Sequence, residues 1–360
     1  MSSVPNASYE SALARSAEIE QRLQVKPTDF RVLTGDRPTG RLHVGHYFGS
    51  LQNRVRLQNK AVPIIVLIAD YQVITDREGS KGTNQFIPEM LLDYMAVGID
   101  PARATIFAHS AVPEENQLLL PFLSLVSMGE LERNPTVKDE IRAANRPAVS
   151  GLMFTYPVHQ AVDILFCKAN LVPVGKDQLP HLELTRTIAK RFNDVYCGGE
   201  EFFPMPEALL SNAPALLGTD GRKMSKSFGN AIQIGMSADE TAALLKKAKT
   251  DSERQITFDP EARPEVSSLL TLAGLCVDRD PRSIADELGD GGGAALKAFV
   301  TDAVNTYFEP IRARRAELAK DMTTVHEALV EGNERARTFA RQTLQEVRDA
   351  MDMNYNDMRF

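Results

Sequence analysis

Residues 35–50 read GDRPTGRLHVGHYFGS. The run before them, RVLTG at 31–35, is apolar and ends in glycine, and the pattern after them, HVGHYFGSLQNRVRLQ at 43–58, has helical periodicity. The stretch is therefore a junction between a strand and a helix. Gly35 and Gly40 allow tight backbone turns beside a ligand, Thr39 offers a hydroxyl, and a helix that begins near His43 points its positive end into the cleft. A phosphate chain suits that position. His43 and His46, three apart around Gly45, can share one helix face and donate to phosphate or ribose oxygens as charge develops. Each histidine taken alone would be as well explained by capping or packing.

Outward from this junction, β-branched runs alternate with helical ones. AVPIIVLIAD (61–70), ATIFAHS (104–110) and ANLVPVG (169–175) read as buried parallel strands, and NQFIPEMLLDYMAVGI (84–99) and DQLPHLELTRTIAKRFN (177–193) as helices. The alternation predicts an α/β fold, a Rossmann-type doubly wound parallel sheet with ligands at the carboxyl ends of its strands. After residue 229 the β-runs stop. SADETAALLKKAKT, PEVSSLLTLAGLCV, GGAALKAFVTDAVNTYFEPIRARRAELAK and VHEALVEGNERARTFARQTLQEVRDAM are all helical in pattern, so an all-helical domain is expected to follow the sheet. The expected divisions are an N-terminal extension at 1–30, a catalytic domain at 31–228 and a helical domain at 229–360, whose final helix packs back on the catalytic domain.

Residues 221–227, GRKMSKS, place Lys223, Lys226, Ser225 and Ser227 on a loop opened by glycine, a composition suited to holding a triphosphate and neutralising charge that moves onto pyrophosphate. Together, HVGH and KMSKS resemble the HIGH and KMSKS motifs of class I aminoacyl-tRNA synthetases, and their separation of one nucleotide-binding domain fits that fold. YPVHQAVDIL (156–165), VPVGKDQ (172–178) and KTDSERQITFDPEARPEVSSLL (249–270) narrow the resemblance to the bacterial tryptophanyl-tRNA synthetases, over about residues 31–350.

That resemblance implies a ligase that activates L-tryptophan with ATP and Mg²⁺ and passes it to tRNA(Trp), with the anticodon bound by the helical domain of a homodimer. It implies catalytic roles for His43, His46, Lys223 and Lys226. Arg37, Pro38, Thr39, Gly45, His46, Gly175, Lys176, Asp177, Leu216, Lys223, Met224, Ser225, Lys226 and Ser227 would contact ATP. Leu33, Gln72, Tyr156, Gln160, Asp163, Ile164, Val172, Val174 and Gln178 would form the tryptophan pocket, with Asp163 accepting the indole N–H. Asp163 also asks for a donor on its own account, since it interrupts an apolar helix where a buried carboxylate is costly unless it accepts hydrogen bonds. Four positions depart from the common pattern, Gln160 for Met, Gln72 for His, Arg37 for Gln and Leu33 for Phe, and the first three make the inferred pocket more polar. A pyrophosphate-contacting lysine of the family falls within 134–142, where Lys138 and Arg142 are both candidates.

Composition sets the bounds. The chain has 360 residues, 43% hydrophobic and 25% charged, the profile of an ordinary globular protein of about two domains. No apolar run approaches the ~20 residues that span a bilayer, and the N-terminus has no secretory pattern, so a cytoplasmic location is expected. Three cysteines, Cys167, Cys197 and Cys276, lie far apart with no C-x-x-C pair, which argues against a disulfide framework or structural zinc, and no metal ligands are assigned. The net charge of −7 opposes nucleic acid at long range but not local contact through basic clusters such as Lys246, Lys247 and Lys249. Three other readings are open: a tyrosyl-tRNA synthetase on the same fold, a nucleotidyltransferase with no tRNA, and a regulatory paralogue without catalysis. The 156–165 and 250–260 stretches, the long helical segment and the intact lysine loop, respectively, favour the tryptophan enzyme.

Overall fold

The computed structural model describes residues 6–75, 82–144, 149–210, 214–225 and 228–355. Five parallel strands, β1 (Val32–Asp36), β2 (Ile64–Ile68), β3 (Ala104–Ala108), β4 (Leu171–Val174) and β5 (Glu207–Leu210), lie in the order β3-β2-β1-β4-β5. Consecutive residues of a strand alternate between two apolar clusters. Val32, Val66 and Ile106 belong to one, and Leu33, Leu67 and Phe107 to the other, so the sheet is buried on both faces as parallel sheets require. Gly35 is needed for the close approach of β1 to β2, since a Cβ there would lie 2.6 Å from the Leu67 carbonyl oxygen.

Before β1 runs α1 (Asn6–Val25). The β1–β2 connection contains α2 (Val44–His46), a π-helical turn (Tyr47–Leu51) and α3 (Gln52–Asn59), and α4 (Thr83–Ala96) joins β2 to β3. Between β3 and β4 come α5 (Pro113–Asn116), α6 (Leu119–Leu123), α7 (Met128–Arg133), α8 (Pro135–Ala144) and α9 (Gly151–Leu165), and α10 (Leu179–Tyr196) leads to β5. The remainder is helical: α11 (Ala238–Lys246), α12 (Pro264–Val277), α13 (Pro281–Leu288), α14 (Gly292–Leu318) and α15 (Met322–Ala350).

The two edge strands are each lined by a helix. On β5, the Ser16 hydroxyl of α1 accepts from the Leu210 N–H at 3.0 Å, and Arg15 pairs with Glu207. On β3, Asn333 Oδ1 of α15 accepts from the Ala108 N–H at 3.0 Å, and Arg335 donates to the Ala104 carbonyl at 3.2 Å. Helix α15 lies so close that a Cβ on Gly332 would fall 1.8 Å from the Ile106 carbonyl oxygen. β1 and β4 are neighbours, and their chain directions out of the sheet diverge there, which opens a crevice at their carboxyl ends.

Candidate active site

A cavity of about 370 Å³ occupies that crevice, a size suited to a small molecule. The end of β1 supplies Leu33 to Arg37, β2 supplies Leu67 and Ala69, α9 supplies Tyr156, Gln160, Asp163 and Ile164, and β4 and its following turn supply Val172 to Gly175 and Gln178. All nine residues expected to form the tryptophan pocket therefore line one cavity, together with Arg37 and Gly175 from the expected ATP set. Ser150 caps α9, its hydroxyl accepting from the Met153 N–H at 3.1 Å, and the helix carries Tyr156, Gln160 and Asp163 to the cavity on successive turns.

The cavity has a built polar wall. Asp163 is 1% exposed, and its Oδ1 lies 2.8 Å from His109 Nε2. Gln72 Nε2 donates to Asp163 Oδ2 at 3.4 Å, and Gln160 Nε2 donates to Gln178 Oε1 at 3.3 Å, so two of the four residues that depart from the family pattern are tied to other lining residues. The Tyr156 hydroxyl meets His181 Nε2 at 3.0 Å, and burial pushes His181 down to about 4, so the ring is neutral at physiological pH. At the opposite end, Arg54 NH1 donates to Asp36 Oδ2 at 2.6 Å and the Tyr94 hydroxyl donates to the same oxygen at 2.7 Å. Burial alone would raise Asp36, but the Arg54 guanidinium, His46 and the Tyr94 hydroxyl hold it at about 2.

The two signature segments meet beside this cavity. The Val44 N–H donates to the Ile232 carbonyl at 2.9 Å and the Ile234 N–H to the Leu42 carbonyl at 3.0 Å, an isolated β-bridge that joins the segment just after the lysine loop to the start of α2. A Cβ on Gly45 would lie 3.0 Å from the His43 ring, a tight approach, and 3.6 Å from Met224 Sδ, an ordinary contact, which places the two signature segments side by side. His43 caps α2 in a reciprocal box with His46, whose Nδ1 accepts from the His43 N–H at 3.2 Å, and the two rings sit 3.7 Å apart. The loop itself is held by Asn230. Its Oδ1 accepts from the Ser225 N–H at 2.8 Å, and its Nδ2 donates to Asp220 at 2.6 Å and to the Lys223 carbonyl at 3.2 Å.

A family model described as tRNA synthetases class I (W and Y) matches residues 26–309. The chain belongs to this family. It is 42% identical over 338 residues to a tryptophan–tRNA ligase of Clostridium longisporum, covering 90% of this chain and 97% of that one, and 41% identical over 333 residues to one of Treponema pallidum, with the same coverage. The tryptophanyl-tRNA synthetase of Campylobacter jejuni, solved with ADP and tryptophan, superposes with a TM-score of 0.77 at 31% identity, covering 89% of this chain and 99% of that one.

Within this class I synthetase the other expected residues fall outside the cavity wall. Pro38, Thr39, His43, Gly45, His46, Lys176, Asp177, Leu216, Lys223, Met224 and Ser225 do not line it. Lys226 and Ser227 lie outside the described residues. Lys138 and Arg142 both sit on α8, where Arg142 pairs with Asp139 at 3.5 Å. The sequence reading missed Arg54, His109, His181 and Asn230. The histidines carried a signal in principle, being buried polar groups that must find partners, whereas no local pattern marks Arg54 or Asn230.

Proposed function

We propose that the chain joins L-tryptophan to tRNA(Trp) in two steps. The tryptophan carboxylate attacks the α-phosphate of ATP in line, pyrophosphate leaves, and the tryptophanyl group passes from the adenylate to the terminal adenosine of the tRNA. The chain is a tryptophan–tRNA ligase, with ATP, tryptophan and tRNA as its partners. Such chemistry proceeds by positioning and electrostatics, so no covalent nucleophile is needed.

The observation that carries the reading is the cavity between β1 and β4, where Asp163 projects from an apolar helix among Leu33, Tyr156, Ile164, Val172 and Val174. An apolar slot around a buried carboxylate suits an indole ring. In this proposal Arg37, Pro38, Thr39, Gly45, His46, Gly175, Lys176, Asp177, Leu216 and the lysine loop hold ATP, which enters as its Mg²⁺ complex with the ion bound mainly by phosphate oxygens. Residues 31–228 are the catalytic domain, and residues 229–360 read the anticodon within a cytoplasmic homodimer. Among the described residues no helix is long and apolar enough to cross a membrane.

Pyrophosphate exchange into ATP, measured across the twenty amino acids, tests the reading. Exchange with tryptophan alone is expected, and exchange with tyrosine, or with none, would overturn it.

A further inference from the structure

Glu115 sits on α5 with 0% of its surface exposed, and neither of its carboxyl oxygens meets a donor among the described residues. The acids that act on it are the neighbouring Asp163 carboxyl and, more weakly, Asp70. Two adjacent buried acids cannot both ionise without a large penalty from desolvation and mutual repulsion. Asp163 is the one with partners: His109 Nε2 at 2.8 Å, Gln72 Nε2 at 3.4 Å, and His159 Nδ1 at 4.0 Å. His159 is fixed in turn by Asn116, the residue after Glu115, whose Oδ1 lies 2.8 Å from His159 Nε2. Helix α5 thus sends two consecutive side chains to brace the group that faces the cavity.

We propose that Glu115 is a positioning residue that stays protonated and donates its carboxyl hydrogen to Asp163, fixing the Asp163 carboxylate as an acceptor-only group toward the ligand. The proposal rests on the reading of the cavity as the tryptophan site. With Asp163 acceptor sites taken by His109, Gln72 and, in this proposal, Glu115, the carboxylate is left little acceptor capacity and no freedom to turn, which favours a ring bearing an N–H and penalises one without a donor. Electrostatics agree: burial and the neighbouring acid push Glu115 well above the usual carboxylate range, whereas His109, His159 and the Glu115 hydrogen bond bring Asp163 below it despite burial.

Infrared difference spectroscopy on the full chain, comparing wild type with Glu115→Gln in H₂O and D₂O, reads the proton directly. A deuterium-sensitive band of a neutral carboxylic acid, present in wild type and absent from Glu115→Gln, is expected, and its absence from wild type would overturn the proposal. Steady-state exchange kinetics give the second readout. Glu115→Ala should raise KM for tryptophan by roughly tenfold or more with a smaller change in KM for ATP, and Glu115→Gln, which retains a donor, should recover most of that loss. If the Gln variant fails as the Ala variant does, the donated hydrogen is not what positions Asp163. Elemental analysis adds a further check: a stoichiometric metal ion lost on mutating His109 or His159 would overturn the proposal, because a cation at that cluster would leave Glu115 ionised. Should the neutral-acid band be present while wild type fails to activate tryptophan, the reading of the cavity falls and the shared proton stands.

Discussion

Arg315 of α14 holds Asp93 of α4, with Nε 2.7 Å from Oδ1, and the other oxygen of Asp93 accepts the backbone N–H of Leu42 at 3.2 Å. The helical segment is thereby tied, through one buried carboxylate, to the residue preceding His43. Arg315→Met would leave Asp93 buried without its cation, and a loss of about 2–4 kcal/mol is expected. Urea unfolding with an unchanged m-value measures it. A shift smaller than about 0.5 kcal/mol would show that Asp93 does not depend on Arg315.

Asn230 is 2% exposed and bonds three points of the lysine loop. Asn230→Ala should release the loop and slow tryptophan-dependent pyrophosphate exchange about 10- to 100-fold, as expected for lost buried hydrogen bonds. Tryptophan affinity in the absence of ATP should stay near the parent value. Parent-like exchange would mean that the loop needs no staple.

Lys226 carries the expectation drawn from the GRKMSKS motif. Lys226→Ala should leave tryptophan binding nearly intact and lower the activation rate by ~10²–10³, the range for removing one preorganised donor from developing charge. Rapid-quench measurement of adenylate formation decides the matter, and a rate close to the parent value removes Lys226 from the catalytic set.

Asp163→Ala removes the acceptor on the cavity wall. Discrimination between tryptophan and phenylalanine should fall by ~1–3 kcal/mol, because the indole N–H is left without a buried partner. Exchange kinetics with both amino acids give the ratio. An unchanged ratio would assign Asp163 to the support of His109 alone.

Glu114 is held at about 2 by hydrogen bonds from Arg337 of α15, aided by the neighbouring Arg341. Its folded value lies below the unfolded one, so the stability it contributes is present above about pH 4.5 and is lost as pH falls toward 2. Screening at this half-exposed cluster reduces the effect to about 1 kcal/mol. Stability against denaturant, followed from pH 6 down to pH 3 in wild type and Glu114→Gln, should show a gap that narrows toward the acid end. Curves that run parallel throughout would show that Glu114 does not couple α15 to proton binding.

The residues of the cavity wall were named through the family resemblance, and periodicity adds only which of them share a face. Tyr156, Gln160 and Asp163 recur at helical spacing, and Val172 and Val174 alternate on a strand. β5 was missed, since EALL is four residues long and has no β-branched side chain to mark it. The π-turn at Tyr47–Leu51 was hidden for a different reason: its sequence keeps the helical pattern on either side. Arg54 bonds Asp36 from another element and Glu115 faces Asp163 from another helix, while Asn230 bonds Ser225, Lys223 and Asp220 within one irregular loop, and such polar pairings follow no helix or strand period. A buried Glu reads, in one dimension, like any surface acid.

The side chains of Ser16 and Asn333 stand where further strands would otherwise add to the sheet, one at each margin. Each comes from a helix near one end of the chain, and the unpaired amides of β5 and β3 are shielded only while those helices stay docked. Fraying of either end therefore does more than lose helix. It uncovers a pairing template, and the species it creates is one that can recruit a copy of itself edge to edge. For this fold, proteolytic trimming at the ends is a solubility hazard before it is a catalytic one.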